Sequence, residues 1–301
     1  MIALGPVPAR AGPNGQDKPA APADQTAPSA SALKPGYAGS EACAACHEDK
    51  VPAALAHHKA LETSKRHHWA GMACEACHGP GKDHAESGDI TKIVSFKSLS
   101  STKVIQVCLG CHANAQRISG RRTDPHSRNE MSCTSCHVIH RPVAEPLLVK
   151  ASTDLCFTCH TDVKGEFTRP YRHRLQEGMV TCVDCHNPHG TVRNAALKSF
   201  SANEPGCLKC HGDKRGPFVF EHAPMDLKGC TECHEPHGSV NPRMLVRADV
   251  KSLCLECHTL TPKVIGGPPP AFHDVSTPRF QNCTTCHVKV HGSNVDREFL
   301  R

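Results

Sequence analysis

A coil-rich fold with short α-helices and almost no β-structure, drawn out as five repeated modules, is what this sequence predicts. Three observations carry that expectation. The 301 residues include one Trp, two Tyr and nine Phe, too few large apolar side chains for a core of ordinary size at this length. The 24 prolines and 22 glycines punctuate the chain throughout, which limits the length of any regular element. All 20 cysteines fall in ten copies of one pentapeptide, Cys-x-x-Cys-His.

In order along the chain the cysteine pairs are Cys43 and Cys46, Cys74 and Cys77, Cys108 and Cys111, Cys133 and Cys136, Cys156 and Cys159, Cys182 and Cys185, Cys207 and Cys210, Cys230 and Cys233, Cys254 and Cys257, and Cys283 and Cys286. Each pair is followed at once by a histidine: His47, His78, His112, His137, His160, His186, His211, His234, His258 and His287. This is the attachment site of c-type haem. Two thiols add across the two vinyl groups of one porphyrin, and the adjacent imidazole reaches its iron as the proximal ligand. A disulfide framework or zinc sites would also use paired cysteines, but neither gives a histidine a reason to recur in the same slot ten times. Ten covalently held haem c groups are therefore expected, and they replace the missing core; without them the chain should be largely unfolded.

The formal charge of +6 omits the cofactors. Twenty propionates and ten ferric centres would bring the holoprotein to about −4 oxidised and about −14 reduced. A basic nucleic-acid-binding surface is thus not implied.

Residues 1–40 read as a flexible Pro/Ala-rich leader. Its first eleven, MIALGPVPARA, end in the A-x-A pattern of a signal-peptide remnant, which leaves open whether Met1 is the true start. Residues 41–301 form the cytochrome domain. No run there is long enough to span a bilayer as a helix. Odd-numbered units begin at 43, 108, 156, 207 and 254 and even-numbered ones at 74, 133, 182, 230 and 283, a period near fifty residues. This divides the domain into two-haem modules at about 41–105, 106–153, 154–204, 205–251 and 252–301.

The other histidines keep the same rhythm. After odd units one comes late: His58, His126, His173, His222 and His273. After even units one comes early: His84, His140, His189, His237 and His291. These ten are the candidate distal iron ligands, and they leave His57, His67 and His68 over. A bis-histidine iron suits a low-potential electron carrier and has no open position for substrate. His57 could serve in place of its neighbour His58; His67 and His68 are expected at solvent or at a haem edge. Met72, Met131 and Met179 precede even units and are expected as packing rather than as ligands. Lys50 to Arg66 reads as a helix with Pro52 in its first turn, and the Pro-His-Gly steps at 188–190 and 236–238 as tight turns.

Chain reach limits which iron an early histidine can serve. Ligands on opposite faces of a porphyrin have Cα atoms on the order of 12 Å apart, whereas three extended residues span at most about 11 Å. His237 thus cannot complete the iron held by His234; His140 and His189 face the same limit, His291 less strictly. The simplest allocation exchanges ligands inside a module, His237 to the seventh haem and His222 to the eighth, although a late histidine could also span its own haem.

Beyond the haem units, the sequence carries CEACHGPG at Cys74–Gly81, TCVDCHNPHG at Thr181–Gly190, RGPFVFEHAP at Arg215–Pro224, CTECHEPHGSVNPRML at Cys230–Leu245 and CHVKVHGSN at Cys286–Asn294. On these phrases residues 41 to 301 resemble the decahaem cytochromes of the MtrA/PioA/DmsE family. The resemblance implies a periplasmic electron-transfer protein of a Gram-negative bacterium, seated inside an outer-membrane β-barrel porin. It would be fed or drained by periplasmic electron-carrier cytochromes and, in some relatives, extended by an outer-surface multihaem cytochrome. Metal reduction and Fe(II) oxidation are both compatible with such a wire. The rival readings are a soluble periplasmic shuttle and a nitrite- or hydroxylamine-type reductase, the second of which needs one iron with an open distal position.

Overall fold

The computed structural model describes residues 33–63, 68–114, 124–191, 197–198, 206–223, 229–258 and 277–301. Among these, every helix is short. They are α1 (Ser40–His47), α2 (Val51–Thr63), α3 (Glu75–His78), α4 (Lys82–Ser87), α5 (Ser101–His112), α6 (Pro125–Arg128), α7 (Ser152–Phe157), α8 (Thr161–Glu166), α9 (Cys182–Cys185) and α10 (Val250–Leu255). Single 3-10 turns fill in between, and β-structure among the described residues is confined to isolated bridges. The mostly coil fold expected from composition is the one observed.

The absence of a side-chain core is equally plain. Buried apolar side chains among the described residues are Met72, Ala73, Val104, Leu148, Phe167, Leu175 and Leu208, scattered over the chain. Seven such residues do not make one contiguous cluster for a chain of this length.

Local chemistry explains where the helices begin. Ser100, Asp124 and Asp249 accept hydrogen bonds from the backbone N–H of Lys103, Ser127 and Ser252 and so cap α5, α6 and α10. α2 runs from Val51 rather than Lys50 and breaks its helical geometry at His58 (φ −114°, ψ 27°), while residues 64–67 lie outside the described set. Residues 1–32 of the leader and the late histidine His273 do so as well.

The haem units are built in more than one way, the second and sixth on the short helices α3 and α9 and the seventh on a 3-10 turn. The first and third lie at the ends of α1 and α5, and the fifth and ninth start inside α7 and α10. The fourth, eighth and tenth are single 3-10 turns, Cys133–Ser135, Cys230–Glu232 and Cys283–Thr285. What they share is one bond: the N–H of the histidine donates to the carbonyl of the first cysteine, as from His137 to Cys133 (2.9 Å), His160 to Cys156 (3.0 Å) and His258 to Cys254 (2.9 Å). That closes one helical turn and puts two sulfurs and an imidazole on one side of the backbone.

Each even unit is followed by a strap that returns to it. The histidine bridges a leucine eleven residues on in three units: His137 with Leu148, His186 with Leu197, and His234 with Leu245. The strap turns at the Pro-His-Gly step, where the Gly190 and Gly238 N–H groups donate to Asn187 and Glu235 carbonyls at 2.9 and 3.1 Å, the tight turns expected. Thr191 and Ser239, two residues past the early histidine, donate from their hydroxyls to the Leu197 and Leu245 carbonyls and lock the strap shut.

Candidate haem sites

The histidines come together in facing pairs. His47 stands opposite His84, His78 opposite His140, His112 opposite His58, His137 opposite His189 and His160 opposite His126. Further along, His186 faces His237, His211 faces His173, His234 faces His291 and His258 faces His222. Every pair joins one histidine of a CxxCH unit to one of the ten candidate distal residues. Ring centroids are 5.9 to 6.4 Å apart in all nine. Metal–nitrogen bonds of about 2 Å, with each nitrogen about 1.1 Å from its ring centre, place trans imidazole centroids about 6.2 Å apart. The gaps fit one iron each.

Hydrogen bonds prepare the rings for that role. Nδ1 of His78, His137 and His234 bonds the carbonyls of Val94, Pro146 and Arg243 at 2.8, 3.0 and 2.9 Å. Among the candidate distal residues, His84, His126 and His173 bond the carbonyls of Asp89, Pro188 and Pro236. A ring whose Nδ1–H is held by a carbonyl presents its Nε2 lone pair to a metal, in the neutral form that ligates.

The partners differ from the allocation expected from spacing. His237 faces the sixth unit's histidine, not the seventh's, and His222 faces the ninth's, not the eighth's. The facing pairs thus run between modules. A late histidine reaches forward to the odd unit of the next module, and that module's early histidine reaches back to the even unit of the first. Two backbone contacts enforce this. Tyr171 and Ser239 exchange N–H···O bonds of 3.2 and 2.7 Å, as do Phe220 and Ser293 at 2.8 and 2.9 Å, pinning the residue two before a late histidine to the residue two after an early one. In addition, the late histidines His126 and His173 bond the carbonyl immediately preceding the early ones, Pro188 before His189 and Pro236 before His237. The reach limit stands in every case: no early histidine faces its own unit.

The first module closes on itself, with His84 of the second unit facing His47 of the first. His58, not His57, faces His112; His57 lies 3.4 Å from Glu145. His68 is exposed, whereas Met72 is 5% exposed and Met179 is 73% exposed on the chain.

The cysteine sulfurs, which stand where thioether sulfurs sit in the haem-bearing protein, show how units neighbour one another. Within modules the first cysteines meet: Cys43 with Cys74, Cys156 with Cys182, Cys207 with Cys230 and Cys254 with Cys283. Across modules the second cysteines approach: Cys77 with Cys111, Cys136 with Cys159, and Cys233 with Cys257. The units therefore follow one another in chain order with two alternating kinds of neighbour.

Two features were not singled out from sequence. Glu75 is 1% exposed and accepts from the N–H groups of Ala38, Gly39 and Gly81 at 2.8, 3.0 and 2.7 Å, tying the start of the described chain to the second unit. Glu166 touches His237. Neither belongs to a repeated phrase; the recurring His-Gly-Ser/Thr of the straps was the readable signal.

Comparison with known proteins agrees with this geometry. Over 268 residues, 85% of this chain and 79% of its relative, the sequence is 37% identical to "Multiheme cytochrome MtrA" of Shewanella baltica. The chain belongs to the MtrA family of multihaem cytochromes. It is an electron-transfer protein working through covalently bound c-type haem. Two family models also match: "Doubled CXXCH motif" at residues 126–165, 173–216 and 222–262, and "Cytochrome c554 and c-prime" at 19–79 and 82–138. The doubled-motif matches begin on the late histidines His126, His173 and His222, and each frames an even unit with the odd one after it, so that each holds one facing pair of this MtrA-family chain whole: His126 with His160, His173 with His211 and His222 with His258. A solved structure, "Undecaheme cytochrome from S-layer of Carboxydothermus ferrireducens", aligns at 20% identity over 77% of this chain with a TM-score of 0.13. This chain spans about a third of that structure's length.

Proposed function

We propose that the chain carries ten bis-histidine haems in one unbroken row and conducts electrons across the outer membrane, seated in a β-barrel porin. The observation that carries the reading is the exchange of histidines at each module boundary, which binds each two-unit module to the next and leaves the nine facing pairs without a gap in chain order. His273 is proposed to complete the tenth site opposite His287. That iron would make the terminal module close on itself as the first does.

Haem iron supplies a one-electron ferric/ferrous couple whose potential is set by its axial ligands and surroundings. The protein's part is to hold both axial positions with imidazole, so that no substrate can bind, and to fix neighbouring units at short range. The backbone pairings of Tyr171 with Ser239 and of Phe220 with Ser293 serve the second task. No helix among the described residues is long and apolar enough to cross a membrane, so in this reading the porin meets the lipid. Periplasmic electron-carrier cytochromes would exchange electrons at one end, and an outer-surface multihaem cytochrome or an external mineral or metal ion at the other.

Reconstitution tests the proposal. The cytochrome should co-purify with an outer-membrane porin, and vesicles containing both should reduce an entrapped dye from an external donor. Transfer by the cytochrome alone in solution, with no porin association and none across the vesicle, would instead establish a periplasmic shuttle.

A further inference from the structure

One candidate distal histidine, His237, is held by a carboxylate at hydrogen-bond distance. His237 Nδ1 donates to the Glu166 carboxylate at 2.9 Å. For His84, His140 and His173 the Nδ1 partner is a backbone carbonyl, at Asp89, Lys50 and Pro236, and His126 Nδ1 bonds the Pro188 carbonyl at 3.1 Å with the Asp124 carboxylate farther off at 3.5 Å. A carboxylate carries formal charge where a carbonyl carries only a dipole, and the bond it accepts is correspondingly stronger.

The contact is built rather than incidental. Glu166 is the last residue of α8. Beside it Phe167, 6% exposed, lies with its ring centroid 5.3 Å from that of His237. Arg169 donates to Glu235 Oε2 at 3.1 Å and to the Gly238 carbonyl at 2.8 Å, gripping the strap on both sides of His237. A Cβ on Gly238 would lie 2.3 Å from the Glu166 carbonyl oxygen, so this approach needs glycine. Arg169 is engaged with Glu235, leaving the Glu166 carboxylate to the imidazole.

We propose that Glu166 is a positioning residue that lowers the reduction potential of the haem ligated by His186 and His237. An imidazole donating to a carboxylate is a stronger electron donor at its other nitrogen. The ferric iron carries one more positive charge than the ferrous, so it gains more. The sixth centre thus becomes a low step in the interior of the row, and the segment that shapes it follows the fifth unit. The inference rests on His186 and His237 being the axial pair.

Spectropotentiometry and low-temperature EPR on the intact holoprotein test it, comparing wild type with Glu166→Gln, Glu166→Asp and His237→Ala. Glu166→Gln should shift about one-tenth of the haem absorbance to easier reduction, with roughly a tenfold change in its ferric/ferrous ratio, or 59 mV for one electron. All ferric haem should stay low-spin, and Glu166→Asp should return the titration toward wild type. An unchanged titration overturns the proposal. So does a high-spin fraction in Glu166→Gln, because that would make Glu166 a support holding the ligand on. His237→Ala reads the assignment separately: it should open one haem to high spin, and its failure to do so would remove the axial pair itself, whatever the glutamate variants show.

Discussion

The inter-module ligand exchange makes a prediction that an in-module exchange contradicts. His222 faces His258 of the ninth unit with centroids 6.1 Å apart and ring planes 15° apart, so His222→Ala should open the ninth haem. With ten haems, about one-tenth of the ferric signal should become high-spin and respond to cyanide, as expected for an iron with a vacant axial position. The informative background is Cys254→Ala/Cys257→Ala, which cannot attach the ninth haem. There His222 has no iron to serve, and adding His222→Ala should produce no new high-spin signal among the nine that remain. If His222 served the eighth haem inside its own module, the same substitution would open about one-ninth of the signal in that background. EPR quantitation and haem counting by pyridine haemochrome distinguish zero from one-ninth readily. A new high-spin haem in the triple variant would refute the exchange. The logic is that of a double-mutant cycle: groups acting on one centre are not additive.

Other outcomes follow from single contacts. His58→Ala should open one haem, whereas His57→Ala should leave the visible and EPR spectra of all ten unchanged, since His57 lies against Glu145 and not against a second imidazole. Gly238→Ala should displace the strap from the end of α8, because its Cβ would fall 2.3 Å from the Glu166 carbonyl, and the sixth haem should lose low-spin intensity. Glu75→Ala would strand three donors at a site 1% exposed, so chemical denaturation should show a loss of at least about 3 kcal/mol, with the N-terminal module the first to become protease-sensitive.

How much of this was legible beforehand depends on the range of the interaction. The ten CxxCH units, their proximal histidines and the coil-rich fold follow from residue identity and spacing, since each unit is one turn of chain closed by a bond from His to Cys. The reach argument separating His237 from His234 held for the same reason, as it concerns three consecutive residues. Which iron His237 serves was not legible. It depends on Tyr171 pairing with Ser239 and on Arg169 gripping the Gly238 carbonyl, contacts across more than sixty residues that leave no trace in local pattern. The fifty-residue period was misleading in one respect: it paired histidines by proximity in sequence, whereas the facing pairs link an even unit to the next even one and an odd unit to the next odd one.

The exchange also sets what each module contributes to its neighbours. At an interior boundary each module gives one histidine forward and receives one back, so every module has two irons, two proximal ligands and two distal ones, but only part of that set is its own. In the first of the five modules the early histidine, His84, turns to His47 of the same module. The late histidine of the fifth module is His273. Its proposed place opposite His287 would leave no iron short of a ligand and no distal histidine surplus. Adding an interior module would bring two haems and two distal ligands and leave both closures undisturbed. Removing the last module would instead strip the even unit before it of its distal ligand, as His234 depends on His291. A chain cut after residue 251 should therefore carry eight haems with one of them high-spin from that loss, and a late histidine, His222, without its iron. Restoring only the tenth unit's strap could close the eighth haem again. Low-spin ligation of all eight in the truncated protein would show that His234's haem takes its second ligand from somewhere other than the module that follows.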